Sequence, residues 1–131
     1  MAPAPPETIL VCDDERSVCH LVYILLTQYG YHVLKAENGR HALDIAAAHD
    51  GTIDLLLSDV MMPTLNGPGL AEHLRAVRPD VRVIFMSAFS NDLLESLDGC
   101  PFIEKPFRPS ALLKTIGDSL AEPPKPLRGR A

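Results

Sequence analysis

The sequence predicts an α/β fold, a doubly wound five-stranded parallel sheet with helices on both faces. Three observations lead there. Short apolar runs alternate with stretches of helical spacing, the runs are continuous rather than every-other-residue, and acids or hydroxyls stop them. Ile9 to Cys12 is the first such run, halted by Asp13-Asp14-Glu15. Val18, Leu21, Val22, Leu25 and Leu26 then recur on a helical face that Gly30 closes. His32 to Ala36 reads as a second strand, and Asn38-Gly39 turns the chain into a helix through Ala42, Leu43, Ile45, Ala46 and Ala47. Ile53 to Ser58 is the third strand, with Leu55, Leu56 and Leu57 consecutive and buried. Pro68 suits the first turn of a helix whose apolar face is Leu70, Ala71, Leu74 and Val77. Val81 to Met86 gives the fourth strand and Asn91 to Leu97 a short helix. Phe102 and Ile103 make the fifth strand, and Pro109 opens a last helix through Leu112, Leu113, Ile116 and Leu120.

The chain of 131 residues suits one domain, and its 47% hydrophobic content suffices for a sizeable core. A formal charge of −5 argues against a general nucleic-acid binder, which needs a basic patch. No apolar run approaches the roughly 20 residues of a membrane span, and Met1-Ala-Pro-Ala-Pro-Pro6 lacks the marks of a signal peptide. Cys12, Cys19 and Cys100 are too few and too irregular for a disulfide framework or a zinc site. The expected setting is therefore cytoplasmic. Proline-rich stretches mark residues 1–7 and 122–131 as flexible flanks around a domain at 8–121. On flanks this short, no DNA-binding or catalytic output domain is expected within these 131 residues.

In a parallel sheet the carboxyl ends of the strands share one edge, where ligands bind. That edge would carry Asp13 and Asp14 from the first strand, Asp59 from the third, Ser87 from the fourth and Lys105 after the fifth. Three close carboxylates cannot all stay ionised unless a cation neutralises them or their pKa values rise. Oxygen donors with room for water suit Mg²⁺, which also binds phosphate. A hydroxyl and an ammonium beside one aspartate supply what an arriving phosphoryl group requires. An aspartate so flanked can accept it as an acyl phosphate.

Ile9-Leu-Val-Cys-Asp-Asp14, Asp59-Val-Met-Met-Pro63 with Gly67, Met86-Ser-Ala88 and Lys105-Pro-Phe107 together resemble the receiver domain of bacterial two-component response regulators, over about Thr8 to Leu120. The resemblance implies a flavodoxin-like strand order of 2-1-3-4-5 and a signalling module rather than an enzyme. Asp59 would take a phosphoryl group from a phosphohistidine on a histidine kinase or histidine phosphotransfer protein. Asp14, Asp59 and the backbone carbonyl of Met61 would ligate Mg²⁺, with Asp13 acting through water. Lys105 would pair with the phosphate, Ser87 would hydrogen-bond it, and Phe102 would stand at the switch aromatic position. Lys105-Pro106 would be a cis peptide. No direct contact with nucleic acid or membrane is implied.

Some residues depart from the family pattern. Phe102 stands where tyrosine or histidine often occurs, and residues 90–99 are short for the fourth helix, part of the usual output face. Leu65-Asn-Gly-Pro-Gly-Leu70 and Phe85-Met-Ser-Ala88 look more like receivers of hybrid histidine kinases, so the chain reads as a stand-alone regulator or a piece of such a kinase. Met61 and Phe89, two residues after the acceptor and after the hydroxyl, are apolar and cannot orient the hydrolytic water. A long-lived phosphoform is expected.

Plainer readings stand beside these. Asp13-Asp14 can cap a helix, Lys105 can be a solvated lysine, Ser87 can cap a turn and Phe102 can fill the core. Met61 and Met62 read as half-exposed, and Cys12 as a small buried hydrophobe. The five histidines are scattered without ligand spacing and read as surface residues. Two other functions compete. A Mg²⁺-dependent phosphohydrolase would begin with Asp-x-Asp and carry a cap, neither of which this sequence shows; a docking domain independent of phosphate would not need the intact acidic set.

Overall fold

Thr8–Cys12, the apolar run halted by Asp13, forms β1, and every residue of it is buried. It is an interior strand of the sheet, covered on both of its apolar faces. The computed structural model describes residues 6–88 and 100–123. After β1 come α1 (Arg16–Gln28), β2 (His32–Ala36), α2 (Gly39–Ala48), β3 (Leu55–Asp59), α3 (Gly67–Val77), β4 (Arg82–Ser87), β5 (Phe102–Glu104) and α4 (Pro109–Ala121). All strands are parallel, in the order β2-β1-β3-β4-β5. That order reverses between β1 and β3, which opens the crevice at which such sheets bind ligands.

The two faces of the sheet carry separate cores. Leu10, Cys12, Leu56 and Phe85 pack with Ala42 and Ala46 of α2 and Leu70 and Leu74 of α3. Ile9, Val11, Leu57, Ile84 and Met86 pack with Val22 and Leu26 of α1 and Leu112 and Ile116 of α4. Alternate residues of a strand point to opposite faces, so helices on both sides demand these unbroken apolar runs. Asn38 caps α2 by accepting the His41 N–H at 2.8 Å, and Asn66 caps α3 through the Gly69 N–H at 2.8 Å. Pro68 occupies the first turn of α3 as its missing N–H allows.

The structure corrects several details. Leu21 and Val77 are exposed, although helical spacing placed them on buried faces. In α1 the buried stripe is Cys19, Val22 and Leu26, so a cysteine takes the place assigned to Leu21. Val77 is the last residue of α3, and the chain turns away at Arg78, whose guanidinium donates to Ala46 O, His49 O and Gly51 O. Met62 is buried rather than half-exposed and receives the Cys12 thiol at 3.5 Å. Strands β3, β4 and β5 each end one residue later than expected, because Asp59 pairs with Met86 and Ser87 with Glu104 in the ladder, while β3 and β4 begin later, at Leu55 and Arg82 rather than Ile53 and Val81. Four helices stand among the described residues. The expected helix at 91–97 lies outside them, as do Phe89 and most of the expected flanks.

Candidate functional site

Register brings the site together. Cys12 is paired with Ser58, so the next residues, Asp13 and Asp59, emerge side by side at the carboxyl edge. Asp59 is paired with Met86, and Ser87 with Glu104, which delivers Ser87 and Lys105 to the same edge. Lys105 is held there by its N–H bond to the Ser87 carbonyl at 2.8 Å, and Lys105-Pro106 is a cis peptide.

Asp13 is fully buried, and both of its oxygens are engaged. Oδ1 accepts the Glu15 N–H at 2.9 Å, and Oδ2 accepts from Lys105 Nζ at 2.7 Å. Capping is not the role of this pair: the residue at the start of α1 is Glu15, with no side-chain cap bond. Asp14 is exposed, Asp59 is buried, and one carboxylate oxygen from each of Asp13, Asp14 and Asp59 lies within 4.8 Å of the others. Lys105 Nζ is 3.7 Å from Asp59 Oδ1.

The electrostatics follow from that packing. Burial pushes the Asp59 carboxyl up to about 6; Lys105 works against the rise, while Asp13 and Asp14 add to it. For Lys105, burial favours the neutral form, but the hydrogen bond and charge of Asp13 and the charge of Asp59 outweigh it and raise the ammonium above its ordinary value. Three carboxylates against one ammonium leave excess negative charge, and their hard oxygen donors fit a divalent cation of the Mg²⁺ type. Cys12, directly before Asp13, is pushed up to about 12 by burial and stays a neutral thiol, as a small core residue should.

The loop after Asp59 is tightly held. Val60 donates its N–H to Met86 O and accepts from Gly67 N–H, both at 2.9 Å. Gly67 has no alternative here, since a Cβ would lie 2.3 Å from Asp59 O. Between them, Thr64 has a positive φ of 71° and Leu65 N–H reaches back to Pro63 O at 2.7 Å. Met61 projects into solvent, 53% exposed. Ser87 is fully buried at the end of β4, and Phe102 is half-buried against the core of the α2 and α3 face. Among the described residues, those singled out from the sequence for the site therefore lie on or beside one edge, with Phe102 starting the strand that ends at Glu104, next to Lys105. The close pairing of Lys105 with Asp13 was not foreseen, since nothing in residues 13 and 105 indicates which carboxylate the ammonium reaches first.

Residues 9–117 match the family model of the response regulator receiver domain. A sensor kinase of Brucella abortus, CckA, is 34% identical over 117 residues, 86% of this chain and 12% of that protein. The receiver domain of the hybrid histidine kinase CckA superposes with a TM-score of 0.75 at 36% identity, covering 86% of this chain and 98% of that one. The response regulator TrrA of Thermotoga maritima, solved in complex with Mg²⁺ and BeF, gives a TM-score of 0.74 at 28% identity over 86% of this chain and 97% of that one. The chain spans less than half the length of the curated relatives it matches. No helix among the described residues is long and apolar enough to cross a membrane. With the match running nearly end to end and the motif residues gathered at one sheet edge, the chain belongs to the response regulator receiver domain family, a signalling domain of two-component systems.

Proposed function

We propose that Asp59 accepts a phosphoryl group from a phosphohistidine on a histidine kinase or histidine phosphotransfer protein. An Asp59 Oδ attacks phosphorus, the P–N bond breaks, and its electron pair returns to the donor imidazole, leaving an acyl phosphate. The observation that carries this reading is Lys105 Nζ standing 2.7 Å from Asp13 and 3.7 Å from Asp59, in a site whose third carboxylate, Asp14, is open to solvent. Lys105 is placed to neutralise a phosphoryl oxygen arriving on Asp59.

Asp14, Asp59 and the Met61 carbonyl are the groups we assign to Mg²⁺; Asp13, with both oxygens already engaged by protein, acts through water. When bound, Mg²⁺ supplies charge neutralisation for the carboxylates and the transferring group. Ser87 donates to a phosphoryl oxygen, and Phe102 moves with it to change the adjoining surface. A cytoplasmic setting is supported by Cys12 and Cys19, whose buried thiols form no disulfide.

Incubation with acetyl phosphate and Mg²⁺ tests the reading. One stable phosphoryl group per chain supports it; continuous release of phosphate would indicate a phosphohydrolase, and no labelling a docking domain that makes no use of phosphate.

A further inference from the structure

The turn from β2 into α2 closes on a reciprocal pair of hydrogen bonds. Asn38, just before α2, accepts the His41 N–H on its side-chain oxygen at 2.8 Å. His41 reaches back the other way, and its Nδ1 accepts the Glu37 N–H at 3.1 Å. This is a capping box with an imidazole where Glu or Gln usually stands. The exchange alters the chemistry: a carboxamide oxygen accepts at every ordinary pH, whereas an imidazole nitrogen accepts only while unprotonated.

A ring that accepts at Nδ1 is neutral and carries its proton on Nε2. An imidazolium bears N–H groups at both nitrogens and would meet the Glu37 N–H donor to donor. Its charge would also stand in the first turn of α2, where the helix amides disfavour a cation. The surrounding charges leave that bond to decide. Glu37 and Asp44 favour a charged ring, while Arg40 and Arg16, which holds the Glu37 carboxylate at 2.8 Å, favour a neutral one. Charges on the neighbouring strands and on α3 are engaged or face solvent. Asp13 is taken by Lys105, and Lys35 lies over the Tyr23 ring. His73 Nδ1 bonds Gly69 O, Arg75 Nε donates to Val81 O, and Glu72 is exposed.

The turn that His41 closes touches three parts of the carboxyl edge. Ala36 O, just before Glu37, accepts the Asp13 N–H at 3.3 Å. Arg16 ties Glu37 to α1, and Gly39 fits so closely against the loop after Asp59 that a Cβ would lie 2.8 Å from Leu65 O. We infer that His41 is a proton-sensitive latch: neutral, it locks the β2–α2 turn to the start of α2; protonated, it releases the Glu37 N–H and loosens that turn. Imidazole is the side chain that changes charge between about pH 5 and 8, so the latch is closed at the upper limit and opens as pH falls. It stands whether or not Asp59 takes a phosphoryl group.

The test is NMR of the nitrogen-15-labelled full chain between those pH limits, reading the ring nitrogens and the amide exchange corrected for its intrinsic pH dependence. At the upper limit the His41 ring should carry its proton on Nε2. As the ring titrates, protection of the Glu37 amide should fall about fivefold. His41→Gln keeps an acceptor without a proton switch and should hold the Glu37 amide protected across the range. His41→Ala should leave that amide unprotected throughout, and the exposed position of His41 lets both variants fold. A proton on Nδ1 at the upper limit, Glu37 protection unchanged through the ring titration, or a wild-type pH response in His41→Gln would each overturn the latch.

Discussion

Lys105 Nζ lies 2.7 Å from Asp13 Oδ2 and 3.7 Å from Asp59 Oδ1. The ammonium is thus moored to a fully buried carboxylate while staying near Asp59, the proposed acceptor. Such mooring keeps a flexible side chain in place before any phosphoryl group arrives.

Breaking the mooring should be costly. Lys105→Met leaves Asp13 buried and charged without its partner, and we expect a loss of about 3 kcal/mol in urea denaturation. Adding Asp13→Asn should recover much of that loss. Strict additivity of the two changes would contradict the pairing.

The raised carboxyl of Asp59 makes the metal-free protein sensitive to acid in an unusual direction. Its folded pKa is about 6 against an ordinary 3.8. A raised value means the folded state holds the proton more tightly, so this contribution is fully present below pH 4 and lost as pH rises through 6. Without Mg²⁺, stability from this group should fall by about 2 kcal/mol between those limits. Asp59→Asn should flatten the profile in that window. An unchanged slope in the variant would reject the assignment to Asp59.

Gly67 is set by close approach rather than by its own dihedral angles. Gly67→Ala places a Cβ 2.3 Å from Asp59 O and 3.1 Å from Val60 Cα, so the Asp59 backbone must move. A cost of about 2 kcal/mol is expected by thermal unfolding, with slower labelling by acetyl phosphate. Wild-type behaviour in both measurements would show that the loop yields freely.

Under the proposed function, Met61 is expected, together with Phe89, to lengthen the lifetime of the phosphoform. Its apolar side chain is exposed beside the site and offers no group to orient a hydrolytic water. Met61→Asn should therefore speed dephosphorylation several-fold, read from the decay of labelled protein after donor removal. An unchanged decay rate would remove Met61 from the account.

The sheet and its edge were legible because hydrophobic runs and their acidic stops are local signals. β2 has the bounds its residues suggested, His32–Ala36, and Pro68 sits in the first turn of α3. Helix faces were less legible. The stripe in α1 uses Cys19 and leaves Leu21 in solvent, since a rotation of one position exchanges one apolar residue for another. Met62 hides beneath the site because Val60 and Gly67 pin the loop on both sides. Contacts between distant residues were invisible. No spacing rule joins Lys105 to Asp13, because only strand register brings them together.

The most direct measurement is chemical mapping of the acceptor. Protein labelled with a phosphodonor in Mg²⁺ is reduced with borohydride, which converts an aspartyl phosphate to homoserine, and is then sequenced by mass spectrometry. Homoserine at position 59, absent with a chelator and in Asp59→Asn, is the predicted result. Homoserine at 13 or 14 instead, or labelling that persists in Asp59→Asn, would contradict the account.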